Sequence, residues 1–362
     1  MGRTERFALR LLSLILVIFS VAGIVLLWTK QGTNLMARQR VDKKQGSLMS
    51  YLKQSDDNTS AIQKLHSLSL TIPAGHSNSD VTVKSTGMYT NYRIVIPDIS
   101  ASYFADFPVS GNGHYIKDLT YVMEGKDAVL TLTTGEPLFI ERSVEQGYVF
   151  FDFKNPKNCF DRIVVIDAGH GGKDDGATAG GVKEKDLTLS IVKKIRDLTD
   201  KNAVKEVGGY GNAMTSMKVD GVGTVGFLYT RLSDKTVSLK ERANLAKTFD
   251  ADLFLSVHIN STASGRESSI NGGQVLYRAG DKTGGSRKFA EQIMTCLRQQ
   301  LGCRDRGTIA GDEIYIVRTA QMPVALAEIG FITNTSERQK LTDDDYQKKA
   351  ASALLEAVME EL

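Results

Sequence analysis

Two different hydrophobic patterns divide this 362-residue chain near residue 158. Residues 67–154 contain short segments in which apolar and polar residues alternate, separated by Gly, Asp and Asn. This period of two is typical of antiparallel β-strands, so we expect a small all-β domain here. Beyond residue 158, compact apolar runs such as RIVVID and ADLFLSVH alternate with stretches of helical periodicity. That alternation predicts an α/β domain with an open, mostly parallel sheet flanked by helices.

Local signals predict several helix ends in the second half of the chain. Ser238 and Glu241 form a capping-box pattern, which predicts a helix start. Asp186 is predicted to be the N-cap of an earlier helix, and a C-terminal helix is expected from about Asp344. Residues 201–226 are rich in glycine and show no clear period, so they are predicted to form a loop insertion.

A long apolar run, residues 11–28, lies close to the N-terminus and contains no charged residue. As a helix it has about the minimum length that crosses a hydrocarbon core of ~30 Å. A cleaved signal sequence usually has an apolar region of only ~7–15 residues with small residues after it, whereas this run ends in Leu-Leu-Trp. We therefore expect an uncleaved transmembrane helix, with a secretory signal as the alternative. Because Arg3, Arg6 and Arg10 precede the run, the body of the protein is expected outside the cytoplasm.

The positive charge of the chain is concentrated at this end. Residues 1–40 carry a net charge of +5, so the total of +3 leaves −2 for all later residues. A nucleic-acid-binding protein would keep its positive charge on the folded part. Binding to nucleic acid is therefore disfavoured.

These patterns predict a chain of four parts. The segment between the apolar run and the first alternating strand is polar with scattered leucines, which is typical of a stalk or spacer. The predicted parts are a cytoplasmic tail and transmembrane anchor (1–30), a stalk (31–66), a β-rich domain (67–157) and an α/β domain (158–362).

Cysteine does not provide a metal site in this sequence. Cys159, Cys296 and Cys303 are too few and too scattered for a disulfide scaffold or a cysteine-based zinc site. We expect all three to be free thiols, and any metal must use other ligands.

Four polar residues of the α/β domain are predicted to meet at one edge of its sheet. His170 follows the strand that ends at Asp167, His258 lies at the end of another strand, and Glu328 ends a third. Open α/β sheets bind ligands at the carboxyl ends of their strands. Glu184 lies on the same connection as His170, just before a predicted helix. Each residue alone has an ordinary explanation as a turn or solvated end, but together they indicate a site.

Two histidines and one carboxylate form a ligand set that binds Zn²⁺ and leaves a fourth position open for water. A further carboxylate near such a site can act as a base. Zinc lowers the pKa of a bound water toward ~7 and polarises carbonyl groups. The four residues therefore predict zinc-dependent hydrolysis.

The same half of the chain resembles a known enzyme family. Five segments, in order, are similar to the blocks of the zinc-dependent N-acetylmuramoyl-L-alanine amidases of type 3: IVVIDAGHGGKDDGA, GVKEKDLTLSIVKKI, YTRLSDKTVSLKERANLA, ADLFLSVHINS and MPVALAEIGFITN. The resemblance covers most of residues 161–360. It implies that His170, Glu184 and His258 hold the zinc ion and that Glu328 acts in catalysis. The β-rich domain is weakly similar to the AMIN domains that target such amidases to the cell wall.

The leading hypothesis is therefore a membrane-anchored, single-pass protein whose catalytic domain faces the cell wall. It would use Zn²⁺ to cleave peptidoglycan between N-acetylmuramic acid and the L-alanine of the stem peptide. A zinc peptidase that cuts elsewhere in the stem peptide has the same metal chemistry and differs only in its pocket. A catalytically inactive wall-binding protein is a third reading, although all four polar residues are intact.

Overall fold

The computed structural model describes residues 45–53, 61–85, 89–201 and 214–362. The predicted transmembrane segment and the first part of the predicted stalk lie outside these residues. Within the described part of the chain, no helix combines the length and the apolar character needed to cross a bilayer.

The first part of the described chain forms two antiparallel sheets with short helices between the strands. The strands are β1 (Gln45–Ser47), β2 (Leu68–Thr71), β3 (Thr82–Ser85), β4 (Asn91–Ile96), β5 (Ile116–Glu124), β6 (Asp127–Thr134), β7 (Phe139–Glu145) and β8 (Tyr148–Lys154). The helices are α1 (Met49–Lys53), α2 (Ala61–Leu65) and α3 (Tyr103–Asp106), with a 3₁₀ turn at Asn78–Asp80. A five-stranded sheet has the order β1-β5-β6-β4-β3, and a three-stranded sheet has the order β2-β8-β7.

The predicted stalk is wrong for residues 45–53, which belong to the β-rich domain. Strand β1 pairs with β5, and the backbone N–H of Leu48 donates to the carbonyl of Leu119 at 2.8 Å. Leu48 and Leu52 are 0% and 5% exposed and lie in the core of the β-rich domain. Strand β1 and helix α1 are too short to show a period in the sequence, so the pattern does not distinguish Leu48 and Leu52 from isolated apolar residues.

The second part of the described chain is the predicted α/β domain. Its strands are β9 (Arg162–Ala168), β10 (Thr178–Ala179), β11 (Val182–Lys183), β12 (Met214–Val219), β13 (Gly223–Tyr229), β14 (Leu253–Asn260), β15 (Gly273–Tyr277), β16 (Asp305–Ala310) and β17 (Val324–Phe331). Its helices are α4 (Glu184–Lys201), α5 (Leu239–Thr248), α6 (Gly285–Leu301), α7 (Tyr315–Thr319), α8 (Thr335–Thr342) and α9 (Asp344–Glu361), after a 3₁₀ turn at Pro156–Asn158.

The main sheet of this domain is mixed, with a parallel centre. It has seven strands in the order β12-β13-β9-β14-β17-β15-β16. Neighbouring strands are parallel from β13 to β17 and again between β15 and β16, whereas β12 pairs antiparallel with β13 and β15 pairs antiparallel with β17. The short strands β10 and β11 form a separate antiparallel pair. The prediction of a sheet flanked by helices is confirmed, with two antiparallel pairs that the sequence pattern did not reveal.

Helices cover both faces of the main sheet. Helices α4, α6 and α9 pack on one face, and α5 and α7 pack on the other. Burial on both faces explains the nearly continuous apolar runs of the central strands. The β-rich domain contacts the second face, where Tyr89 packs edge-on against Phe249 at 5.6 Å and Phe139 packs against Phe160 at 5.5 Å between ring centroids. These contacts attach the β-rich domain beside α5.

Most of the predicted helix ends are confirmed. The Ser238 hydroxyl accepts from the Glu241 N–H at 3.2 Å, and the Glu241 carboxylate accepts from the Ser238 N–H at 2.8 Å, which completes the capping box. The C-terminal helix begins at Asp344. Asp186 is not an N-cap, because α4 begins at Glu184 and places Asp186 in its first turn.

The prediction of a loop over residues 201–226 is wrong for the part that the structure describes beyond residue 213. Met214–Val219 forms an edge strand, antiparallel to β13. Its turn contains Gly221 with φ of +77°, and β13 contains Gly226, where a Cβ would lie 2.6 Å from the Phe160 ring. Glycine is therefore needed both in the turn and inside the strand, and this glycine content concealed the hairpin. Residues 202–213 lie outside the described residues.

Candidate active site

The central parallel strands bring the predicted residues to one edge of the sheet. His258 lies in β14 directly opposite Glu328 in β17, and His170 follows the end of β9, which also neighbours β14. Glu184 opens α4 after the β10–β11 hairpin. The structure therefore places all four residues in one region, at the strand ends where the sequence predicts a site.

His170, Glu184 and His258 form a compact cluster with Glu184 at its centre. One carboxylate oxygen of Glu184 lies 3.1 Å from His170 Nε2, and the other lies 2.9 Å from His258 Nδ1. The imidazole rings are nearly perpendicular, with centroids 4.9 Å apart. One potential donor atom from each residue lies within 4.8 Å of the other two, so the three residues form a group that could hold a metal ion.

Backbone groups fix the Glu184 carboxylate in this position. Its Oε1 accepts from the N–H of Ile259 at 3.0 Å, and its Oε2 accepts from the N–H of Ala177 at 2.8 Å. Burial favours the neutral acid, but hydrogen bonds from His170 and His258 outweigh it and hold the pKa of Glu184 well below its usual value. Glu184 is therefore an ionised, oriented carboxylate, as a metal ligand must be.

Glu328 has the opposite electrostatic character. Its side chain is half-buried, and desolvation raises the pKa of Glu328 to about 7, with the negative charge of Glu184 adding to the effect and the two histidines opposing it. Its Oε2 is buried and has no hydrogen-bond partner among the described residues. A buried polar atom without a partner is uncommon and points to a functional role or to a bound water or ion.

Two buried arginines hold the loop that carries His170, and sequence reasoning missed both. The guanidinium of Arg231 donates to the carbonyls of Ala168 and Gly169 at 2.9 and 2.7 Å. That of Arg242 donates to the carbonyls of Ala168 and His170 at 2.6 and 2.5 Å. Arg242 could have been found from the sequence, because it is a charged residue on the apolar face of a predicted helix.

Arg242 has a buried counter-ion in Asp167. Both side chains are almost fully buried and form a close ion pair, and Asp167 also accepts hydroxyl hydrogen bonds from Thr230 at 2.6 Å and Ser256 at 2.7 Å. Burial alone would raise the pKa of Asp167, but Arg242 and the two hydroxyls keep it below its usual value. Such a fully bonded network fixes the strand end beneath the His–Glu–His cluster.

Glycine is required where two turns of the chain approach the candidate ligands. A Cβ at Gly169 would lie 2.4 Å from Cε1 of His258, and a Cβ at Gly176 would lie 2.6 Å from Oε2 of Glu184. His170 itself has a φ of +60°, a left-handed conformation that few non-glycine residues adopt. Strained backbone of this kind is found mainly at functional sites, where surrounding contacts maintain it.

A further residue, Asp174, contacts the cluster and was not predicted. Its carboxylate accepts from His170 Nδ1 at 2.8 Å and from the N–H of Gly176 at 3.1 Å. The neighbouring Asp175 instead forms ion pairs with Lys183 and Lys185. An acidic pair four and five residues after His170 was the only sequence signal, and it did not distinguish the two aspartates.

A groove of about 220 Å³ opens beside the two histidines. Thr236 and Ser238 contribute to its polar side, and Leu239 and Ile316 contribute apolar surface. Leu239 is 52% exposed although it is a large apolar residue. The groove therefore offers a small ligand both polar and apolar contacts next to the candidate metal ligands.

The fold and the site together define an α/β protein with a His–Glu–His cluster at the carboxyl ends of its central strands. A family model described as N-acetylmuramoyl-L-alanine amidase matches residues 164–208 and 212–360, more than half of the chain. The chain therefore belongs to the N-acetylmuramoyl-L-alanine amidase family Amidase_3. Its function is the hydrolysis of an amide bond in peptidoglycan, as the sequence predicts.

Individual relatives show how far the similarity extends. The protein YqiI of Bacillus subtilis (strain 168) is 36% identical over 197 residues, which is 54% of this chain and 83% of YqiI. The N-acetylmuramoyl-L-alanine amidase LytC of the same organism is 35% identical over 201 residues, which is 56% of this chain and 35% of LytC. The catalytic domain of the amidase CwlV from Bacillus (Paenibacillus) polymyxa var. colistinus aligns with a TM-score of 0.46 at 28% identity, over 55% of this chain and 97% of that domain.

Proposed function

We propose that this amidase depends on zinc and that His170, Glu184 and His258 are the ligands of the ion. The observation that carries the proposal is the convergence of three donor atoms within 4.8 Å at the sheet edge. Two imidazoles and one carboxylate are a donor set used by zinc hydrolases, and this set leaves a coordination position for water or substrate. The ionised state of Glu184 and its two backbone hydrogen bonds support the same assignment.

Zinc in such a site supplies a Lewis acid for the carbonyl group and lowers the pKa of water toward ~7. The remaining chemistry is assigned to residues of this chain. Glu328 acts as the general base, because its Oε2 is buried without a partner among the described residues and its pKa is raised to about 7. A base with a pKa near the working pH is the most effective.

In this scheme Glu328 accepts a proton from the attacking water and returns it to the nitrogen of the departing L-alanine. The bond that breaks joins the lactyl carbonyl of N-acetylmuramic acid to that nitrogen. The apolar surface of Leu239 and Ile316 suits the methyl groups on either side of this amide, and the polar side of the groove suits the peptide groups. The buried network of Asp167 and Arg242 keeps the strand end rigid during the reaction.

We also propose that the chain is held at the outer face of the cytoplasmic membrane by residues 11–28. The uncharged run and the arginines before it support this location.

The β-rich domain is proposed to be an AMIN-like module that binds the cell wall. Its ring contacts with Phe249 and Phe160 would hold this module against the catalytic domain.

The test is product analysis with the purified full-length chain and defined muropeptides. We expect mass spectrometry to find free N-acetylmuramic acid ends and peptides that begin with L-alanine, and we expect a chelator to abolish both. Cleavage within the stem peptide would favour the zinc peptidase instead. An absence of any product from zinc-loaded, folded protein would favour the inactive wall-binding protein. Activity that resists complete metal removal would refute the zinc assignment.

A further inference from the structure

We propose that Asp174 is a positioning residue of the metal site. It holds the imidazole of His170 so that Nε2, and not Nδ1, faces Glu184 and the metal position. The inference rests on the proposed zinc site, and it concerns a residue that is not a ligand itself.

The contacts of Asp174 join the two ends of the loop that carries His170. Its Oδ2 accepts from His170 Nδ1 at 2.8 Å, and its Oδ1 accepts from the N–H of Gly176 at 3.1 Å. Its backbone forms two hydrogen bonds with Gly171, at 2.9 and 3.2 Å. One residue therefore fixes both the turn after His170 and the ring of His170.

The ring of His170 needs such a partner. His170 lies outside the regular strand with a φ of +60°, so strand pairing does not fix its orientation. Gly171 and Gly176 beside it have no side chains to pack against the ring. The two ring nitrogens of a neutral imidazole are distinct, and the hydrogen bond made by one decides which nitrogen is free to bind a metal. A carboxylate on Nδ1 therefore selects the tautomer with an available Nε2.

A carboxylate in this position also strengthens the ligand. When it accepts from the N–H of a metal-binding imidazole, it raises the basicity of the other nitrogen, and loss of such a partner typically weakens metal binding by ~10- to 100-fold. In this structure Nε2 of His170 already points toward Glu184, at 3.1 Å. The Asp174 carboxylate therefore contacts one nitrogen of the His170 ring, and the other nitrogen faces the cluster that would hold the metal.

The chain provides a matched control in the next residue. Asp175 has the same side chain and lies on the same loop, but its carboxylate pairs with Lys183 at 3.0 Å and Lys185 at 2.8 Å. Removal of either aspartate changes the charge of the loop equally. Of these two carboxylates, only that of Asp174 contacts a candidate ligand.

The experiment measures Zn²⁺ affinity by competition with a chromophoric chelator, using the full-length chain and its Asp174→Ala, Asp174→Asn and Asp175→Ala variants. We expect Asp174→Ala to weaken binding by ~10- to 100-fold and Asp175→Ala to change it by less than ~3-fold. Asp174→Asn keeps an acceptor for Nδ1 without the charge, so its affinity should fall between these values. With Co²⁺ as the probe, the visible absorption of Asp174→Ala should differ from that of the wild type, and the spectrum of Asp175→Ala should not.

Several outcomes would overturn the proposal. Asp174→Ala with wild-type zinc affinity would refute it, and so would an equal loss in Asp175→Ala. Thermal unfolding of the metal-free proteins reports whether a variant is folded. If Asp174→Ala is unfolded, the test rests on Asp174→Asn. Wild-type Zn²⁺ affinity in a folded Asp174→Asn variant would refute the role of the carboxylate. Failure of the wild-type chain itself to bind Zn²⁺ would refute the metal site rather than the role of Asp174.

Discussion

Replacement of Glu328 by glutamine should change how the stability of the metal-free protein depends on pH. Burial raises the pKa of Glu328 from 4.5 to about 7 in the folded state. Below the unfolded pKa the group is neutral in both states and has no effect on stability. As the pH rises from the unfolded to the folded pKa, ionisation becomes favourable in the unfolded chain first, so the wild-type protein loses stability.

The size of this loss follows from the two pKa values. The interval from 4.5 to about 7, at ~1.36 kcal/mol per pKa unit, corresponds to about 3 kcal/mol. Glutamine has nearly the same shape and never ionises. The free energy of unfolding of Glu328→Gln should therefore rise relative to that of the wild type by up to about 3 kcal/mol between about pH 4 and about pH 8.

The assay is urea unfolding of both proteins in the presence of a chelator, repeated across this pH range. Other titrating groups are common to both proteins and largely cancel in the difference. A difference that does not vary with pH would show that Glu328 has an ordinary pKa. A difference that falls as the pH rises would mean that the ionised carboxylate is stabilised in the fold, which contradicts the reasoning from burial.

Three other substitutions test the framework of the protein. Arg242→Leu should destabilise it by about 3–5 kcal/mol, because it leaves the buried carboxylate of Asp167 without a counter-ion, and chemical denaturation measures this directly. Gly169→Ala should lower Zn²⁺ affinity in a competition titration, because its Cβ would lie 2.4 Å from Cε1 of His258; unchanged affinity would contradict the described packing. Leu48→Ala should cost about 2–5 kcal/mol in the unfolding of the β-rich domain, whereas a leucine in a solvated stalk would show almost no effect.

The positions of the candidate ligands could be predicted because each depends on a local pattern. His170 follows β9, and His258 and Glu328 lie in the second halves of β14 and β17, although β17 continues three residues beyond Glu328, where the sequence pattern predicted its end. The rule for parallel sheets was enough to bring them together. Asp174 could not be assigned in this way, since it and Asp175 are identical in type and adjacent in sequence. Only the path of the loop decides which carboxylate meets the His170 ring.

The missed parts of the fold depend on contacts between residues far apart in sequence. Strand β1 pairs with β5, more than 70 residues later, and is too short to show alternation. Strand β12 pairs with β13, whose Gly226 is required by the ring of Phe160. Arg242 lies on the buried face of α5 because Asp167 compensates its charge. In each case the partner, and not the local sequence, determines the structure.

Metal binding and proton transfer are assigned to different residues of the site. The substitution Glu328→Gln tests this division most directly when zinc content and turnover are measured on one preparation. We expect about one zinc ion per chain, with turnover on muropeptides reduced by ~10²- to 10⁴-fold, the usual cost of losing a general base. Loss of zinc from the variant would make Glu328 a ligand, and Glu184 would then become a candidate base. Full activity of the zinc-loaded variant would contradict the proposed mechanism.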